Sequence, residues 1–354
     1  MRNEQLSIFK AIGIIFMVVG HSGCPELLYN FIYLFHMPLF YFGSGYFFKA
    51  KYKDEKLGFI KRKIKGLYFP YVKYGLIFLL LHNVFYFLNI YNDQYGFHGG
   101  VSKVYSLSDF TFLALKLVKF GRLERLVSGY WFLSSLFMVN ILFLFLYSIS
   151  SKFSPSKALR LSGFMGLLLF FIGYFMHQNQ VVLPQNLTRE MIMLPLFWLG
   201  AYAGSRKIPV NRYAVVLSFL VLVVCGHFGT LNLSISAIVN PYFFAIVSLC
   251  GCYMVFGISK AMLKSPTLSH ALLYTGDKTM IILTFHFLSM KLVSLLIIAI
   301  YGLEIAHLAE FPVIESAKGL WWMVYTVVGV TVPMLAACAS KRGFTYVRTK
   351  ITRV

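Results

Sequence analysis

Charge is scarce in this chain. Charged residues make up 13% of its 354 residues, about half of the roughly 25% found in an average soluble domain. A soluble fold of this size cannot cover its surface with so few charges, so a soluble enzyme, a disordered chain and a fibrous repeat are excluded. Acidic residues are scarcer still, with 12 Asp and Glu against 33 Lys and Arg and a net charge of +21. In so apolar a chain that excess reads as the positive-inside pattern of a membrane protein and not as a nucleic-acid footprint. Cysteine is limited to five scattered residues. No C-x-x-C occurs, and the Cys250-x-Cys252 pair lies in an apolar run, so neither a disulfide framework nor a zinc site is read, and no metal is expected. Internal repeats, low-complexity segments and a sharp composition shift are also missing. One transmembrane domain is therefore read over 1–340, followed by a short basic cytoplasmic tail over 341–354. The first apolar stretch lacks a small-residue cleavage site and carries an internal Lys and His, so it is expected to be retained.

What the chain has is apolar and aromatic mass: 58% hydrophobic residues and 18% aromatic, including 36 Phe and 23 Tyr. A spanning helix needs about 20 mostly apolar residues. Ten stretches qualify, near 6–24, 29–48, 69–90, 129–149, 161–177, 190–204, 213–228, 239–258, 279–300 and 319–339. The expected fold is an all-α polytopic bundle of about ten transmembrane helices. With the N-terminus inside, 23 of the 33 Lys and Arg fall in inside segments and seven in outside loops, which places both termini in the cytoplasm. The longest outside loop, 91–128, carries an amphipathic run after Ser108-Asp109, read as a helix lying in the outer interface.

Ionisable groups within a bilayer are costly, so each is a candidate for function. The informative ones are Lys10, His21, His36, His286 and Lys291; Glu190 and Asp277 sit at the ends of their stretches. Lys10 and His21 are eleven residues apart, about three helical turns, so they face nearly the same way and lie roughly 16 Å apart along the axis. A cation at one end suits a phosphate, and an imidazole at the other suits proton transfer. The alternative is a snorkelling lysine and a packing histidine. His36 lies in Phe35-His36-Met37-Pro38-Leu39-Phe40, where Pro38 predicts a kink. Gly43, Ser44 and Gly45 follow and permit close helix approach. That segment is either a cavity wall or a structural bend. His286 and Lys291, five residues apart, do not share a face; Lys291 is expected to meet another helix or a lipid headgroup. The basic loop Lys49 to Lys65 is a topology signal and also suits a polyphosphate ligand.

These motifs resemble the acyltransferase-3 family of bacterial membrane acyltransferases, and more narrowly its sugar O-acetylase branch. The first match is a basic residue, ten intervening residues and His-Ser: Lys10, then His21-Ser22. The second is Phe35 through Phe40 leading to Ser44-Gly45-Tyr46. Arg62-Lys63 before Pro70-Tyr71, Trp131-Phe132-Leu133, Leu194-Pro195-Leu196-Phe197 with Leu199-Gly200, and Tyr274-Thr275-Gly276 through His286 are further similar patches. One departure is Ser7, where family members often carry an acid. The resemblance implies about ten spans and a cytosolic acyl-CoA donor, with acetyl-CoA as the default. It also implies an acceptor hydroxyl on a glycan or lipid-linked sugar, a bacterial plasma membrane, and a catalytic motif histidine.

Combined with the residue chemistry, this assigns His21 as general base, with His36 orienting it or binding acceptor. Lys10, Arg62 and Lys63 are assigned to the phosphates and nucleotide of the donor. Ser44, Tyr46, Trp131 and His286 are candidate substrate contacts. The rival from another class is a flippase of lipid-linked saccharide, for which the repeat and the broken-helix pair are not evident in the sequence.

Overall fold

The computed structural model describes residues 3–95, 103–121, 124–181, 183–206, 208–317 and 319–351, with side chains as far as Ala339. Among these residues the regular structure is all helical, apart from one isolated antiparallel bridge between Asn232 and Ala237. Helix α1 (Glu4–Gly20) begins at Asn3, whose side chain accepts from the Leu6 N–H, with Glu4 favourably placed in the first turn. Its sequence is apolar almost all round, which marks a helix buried on every side. Leu6, Ile8, Phe9 and Ala11 are indeed fully buried.

The predicted stretch 29–48 is two helices, α2 (Glu26–Tyr33) and α3 (His36–Tyr46). The break falls at Leu34-Phe35, where Phe35 has non-helical backbone angles, and not at Pro38. Pro38 sits instead in the first turn of α3, where its missing N–H has no intrahelical partner to lose. The basic segment forms α4 (Lys56–Lys63) and a π turn at Ile64–Tyr68, which runs into α5 (Phe69–Leu80) and α6 (His82–Phe87).

Helix α7 (Leu107–Val118) starts from Ser106, which forms a capping box with Asp109. The predicted cap at Ser108-Asp109 is thus two residues late. The helix packs lengthwise and antiparallel on α5: Asn83 pairs with the Tyr105 backbone, Leu117 meets Gly75, and the Tyr68 hydroxyl donates to the Val118 carbonyl. Gly75 makes room for Leu117, so the apolar face of α7 finds a protein partner there.

The remaining helices are α8 (Trp131–Phe153), α9 (Ala158–Gln178), α10 (Leu187–Ser205), α11 (Arg212–Cys225), α12 (Pro241–Met262), α13 (Pro266–Asp277), α14 (Thr279–Tyr301) and α15 (Trp321–Ile351). Over the predicted tail, 341–351 continues α15, its side chains and residues 352–354 lying outside the described residues. Five helices are long and apolar enough to cross a membrane on their own: those over Arg125–Phe153, Pro155–Gln178, Pro241–Met262, Thr279–Tyr301 and Trp321–Ala339. The other predicted stretches form shorter or interrupted helices, except α10, which is 19 residues long but opens on the charged pair Arg189-Glu190. Broken helices at membrane depth are tolerated where the freed backbone is buried in protein or lines a cavity.

α1 sits at the centre, against α3, α12, α13, α14 and α15. α3 packs on α10 at backbone contact. A Cβ on Gly45 would lie 1.9 Å from the Phe197 carbonyl oxygen, and one on Gly200 would lie 1.9 Å from that of Phe42. A Cβ on Gly204 would lie 2.1 Å from the Tyr46 carbonyl oxygen. The Gly200-x-x-x-Gly204 spacing and Gly45 therefore form a small-residue helix contact. Gly43 and Ser44, grouped with Gly45 in the sequence, face the other way.

Candidate active site

Five helices, α1, α2, α3, α8 and α14, contribute to the wall of a cavity of about 400 Å³, within the size range of small-molecule sites. From α1 and its cap come Lys10, Ile14, Met17 and His21; from α3 come His36, Phe40, Gly43, Ser44 and Phe47. Both sets recur at the helical period, so each is one stripe of one helix. α8 adds Trp131 and Leu136, and α14 adds Thr279 and Leu283. Lys10 and His21 therefore share a wall, at the axial separation of roughly 16 Å that eleven helical residues impose.

The two walls run in opposite directions. Gly13 of α1 meets Phe40, while Gly20 meets Tyr33. His21 consequently lies at the end where α2 joins α3, near Tyr33 and His36. Tyr29 and Tyr33, stacked at 3.9 Å between ring centroids, line this end. The segment Leu231–Ser234 also lines the cavity.

The ring hydrogen bonds fix which nitrogens carry protons. His36 Nδ1 is 3.0 Å from the Ile32 carbonyl. A carbonyl only accepts, so Nδ1 bears the hydrogen and Nε2 is left as the acceptor. His286 follows the same rule, with Nδ1 at 3.1 and 3.0 Å from the Ile282 and Leu283 carbonyls. Its Nε2 is buried and has no hydrogen-bond partner among the described residues. His286 does not line the cavity; it stacks behind His21 with ring centroids 5.7 Å apart. Phe287 covers His21 at 4.9 Å. The His21 ring itself makes no hydrogen bond to any described residue, so its nitrogens are available to a ligand in the cavity.

Beyond Ser44 lies a second pocket of about 320 Å³. Ser44, Phe47, Leu67 and Leu136 line both, so the two spaces adjoin there. Arg62 and Lys63 stand in its wall with Phe48, Tyr52 and Phe59. The Arg62 guanidinium lies 4.9 Å from the Tyr52 ring centroid, and Lys63 Nζ lies 5.1 Å from that of Phe59. Lys63 also donates to Ser44 Oγ at 3.4 Å, and Asn140 Nδ2 reaches the same oxygen at 3.1 Å. Burial, and then the neighbouring Arg62 charge, push the Lys63 ammonium down to about 8.

The structure thus brings together Lys10, His21, His36, Ser44 and Trp131 around one cavity, with Arg62 and Lys63 in the adjoining pocket. Tyr46 is apart from them, its ring packed on Phe42, Phe47 and Phe256. Lys291 lies away from the His21 cavity, against the segment that follows α14. It is buried and donates to the carbonyls of Leu308 and Glu310 at 2.8 and 2.5 Å, tying down the segment after α14. His82 is structural: it is buried, bonded to Glu124 and the Lys103 carbonyl, and stacked on Tyr105.

Sequence reasoning missed Tyr29, Tyr33, Asn140 and Asn232, neutral polar residues that no spacing rule separates from packing residues. It also left Glu190 as a helix-end acid. Glu190 is fully buried, paired with Arg189 Nη2 at 2.7 Å. Two adjacent opposite charges opening an apolar stretch were the available signal. Among the described residues, no group of three or more His, Cys, Asp or Glu is placed to hold a metal ion.

The arrangement offers an unencumbered imidazole at one end, a lysine at the other, and two further cations with aromatic faces beyond. This suits an elongated ligand that is anionic at one extremity and reactive at the other. A family model described as an acyltransferase domain matches residues 3–338. No curated protein and no solved structure matches the chain.

Proposed function

The chain belongs to that family of membrane acyltransferases, and from this premise we propose that it is an O-acyltransferase moving an acetyl group from cytosolic acetyl-CoA to a hydroxyl of a cell-surface glycan or lipid-linked sugar. The observation that carries the reading is the shared wall of Lys10 and His21, in a cavity that adjoins the Arg62–Lys63 pocket. The donor's nucleotide and phosphates lie against Arg62, Lys63 and the rings of Tyr52 and Phe59. Lys10 meets the phosphate end of the pantetheine arm. The thioester reaches His21. We place the protein in a bacterial plasma membrane with both termini in the cytoplasm, as the charge asymmetry of its loops supports.

His21 takes the proton of the acceptor hydroxyl as its oxygen attacks the acyl carbonyl. The C–O bond forms, the C–S bond breaks, and the proton passes from the imidazolium to the departing CoA thiolate. His36 Nε2, an acceptor by its hydrogen bonding, orients the acceptor hydroxyl. Trp131 offers an aromatic face to the sugar ring. Ser44, held between Lys63 and Asn140, steadies the passage of the arm.

The direct test is transfer of labelled acetyl from acetyl-CoA to glycan in membranes that contain the protein. A flippase would move saccharide and leave the label on CoA. Lys10→Ala is expected to raise the KM for acetyl-CoA by about 10- to 100-fold, from loss of a charged hydrogen bond of roughly 1.5–3 kcal/mol. An unchanged KM would remove Lys10 from the donor site.

A second expectation concerns pH. Burial brings Lys63 to about 8, below the usual range of a lysine, so it is mostly charged at pH 7 and loses that charge as pH rises through 8. The kcat/KM for acetyl-CoA, which reports the free enzyme, should therefore fall between about pH 7.5 and 9. Lys63→Arg, which cannot deprotonate in that range, should flatten the fall. A profile with the same decline in both proteins would disconnect Lys63 from the donor.

A further inference from the structure

Behind the His21 end of the cavity runs a buried polar chain that the mechanism above does not use. Its centre is Arg189, 4% exposed. Nε and Nη2 donate to one Glu190 oxygen at 3.1 and 2.7 Å, and Nη1 donates to the Ser234 carbonyl at 3.3 Å. The guanidinium also lies against the Trp131 ring, 5.1 Å from its centroid. The other Glu190 oxygen accepts from the Ser135 hydroxyl. That uses the only hydrogen Ser135 has, so in the 2.6 Å contact between Tyr41 and Ser135 the tyrosine is the donor. The chain links α3, α8, α10 and the segment following α11.

Its level in the bundle follows from helix register. α3 and α10 run the same way with Phe42 beside Gly200. Arg189 is eleven residues before Gly200, and His36 six before Phe42. At 1.5 Å per residue, Arg189 lies beyond the level of His36, on the His21 side. The two groups Arg189 grips, the Trp131 ring and the Ser234 peptide, both belong to cavity-lining residues.

We infer that Arg189 is a positioning residue for the acceptor, holding Trp131 and the Leu231–Ser234 segment as one wall of the acceptor subsite, and that this subsite takes a neutral, hydroxyl-bearing ring. The inference rests on the acyl-transfer reading of the same cavity. A guanidinium can do this because its planar fork bonds carboxylate and carbonyl at once while its face stacks on an indole; a lysine cannot do all three. The neutrality follows from the charges. Glu190 cancels Arg189 within the wall, and beside the imidazoles of His21 and His36, which as base and acceptor are neutral, the surfaces offered to a ligand at this end are the rings of Tyr29, Tyr33 and Trp131 and the mutually bonded polar side chains of Asn232 and Ser234. A carboxylate buried here would meet no opposite charge among them and would forfeit its hydration. Neutral hydroxyls lose far less and find amide and phenol partners.

The test compares wild type with Arg189→Lys and Ser135→Ala in membranes of cells lacking the native copy, with labelled acetyl-CoA as donor and the cell's own surface glycan as acceptor. Membranes carrying His21→Ala give the background. The quantities read are the donor KM, and the ratio of labelled glycan ester to labelled free acetate. Water needs no orientation and the acceptor does. The ester-to-acetate ratio should therefore fall about tenfold or more in Arg189→Lys and about threefold in Ser135→Ala, with the donor KM within twofold of wild type. Ester and acetate falling together at constant ratio would show a merely structural role and overturn the proposal. Should Arg189→Lys be missing from the membrane, the Ser135→Ala ratio decides alone, an unchanged value counting against it. Fragment mass spectrometry of the glycan should place the label on a neutral sugar; label on a uronic acid would overturn the neutral subsite. A wild type that transfers no label at all is a different result, and defeats the acyl-transfer reading itself.

Discussion

His21→Ala should lower acetyl transfer by about 10²- to 10⁴-fold, the contribution of a positioned general base. A sugar hydroxyl is a poor nucleophile until its proton has somewhere to go. The His21 ring is the imidazole that lines the cavity without a hydrogen bond to any described residue. His36 also lines it, but its Nδ1 is committed to the Ile32 carbonyl, which leaves one nitrogen, whose role we assign to the acceptor. His36→Ala should therefore cost less than His21→Ala. On the proposed mechanism the loss in His21→Ala should appear in kcat and kcat/KM alike, because the proton transfer would belong to the transition state while Lys10, Arg62 and Lys63 would still hold the donor. The measurement is label transfer at saturating acetyl-CoA, normalised to protein in the membrane. Near-normal transfer would remove His21 from the chemistry and leave its stacking on His286 and Phe287 as packing alone.

Gly200→Leu should have the largest effect on stability. A Cβ there would lie 1.9 Å from the Phe42 carbonyl oxygen and 2.9 Å from the Tyr46 nitrogen. Both are backbone atoms of α3, so no side chain can rotate aside, and the helices must separate. Overpacking of this kind costs about 3 kcal/mol or more. α3 also carries His36, Phe40 and Ser44, so the displacement deforms the cavity and activity falls with stability. Gly66→Ala is the control, because nothing lies within 4 Å of a Cβ at that position. Thermal unfolding in detergent should show a large drop for Gly200→Leu and little change for Gly66→Ala. Equal behaviour of the two would mean that α3 and α10 are not in backbone contact.

The legible part of the site is the part carried by single helices. Lys10 and His21 share a face because helical periodicity leaves no choice, and the α3 stripe from His36 to Phe47 follows the same rule. The paired motifs also made the family readable. What involves two distant segments was not legible. Tyr41, Ser135, Glu190 and Ser234 come from four places in the chain, and no spacing within any one of them announces the others. Pro38 misled for a local reason: proline breaks a helix interior but is at home in a first turn, and the sequence alone did not mark α3 as starting at His36. The face of α7 was read as amphipathic, but its partner depended on Gly75, a residue whose meaning lies in what it leaves out. The long uninterrupted helices were the plainest, because length and hydropathy alone identify them.

The junction at Ser44, Phe47, Leu67 and Leu136 has a kinetic corollary. These four residues line both chambers. Three of the four keep some solvent exposure, and rotamers of such residues interconvert in picoseconds to nanoseconds, whereas helix displacements take microseconds or longer. A slender flexible ligand passing from one chamber to the other would therefore wait on the turning of side chains and not on the movement of helices.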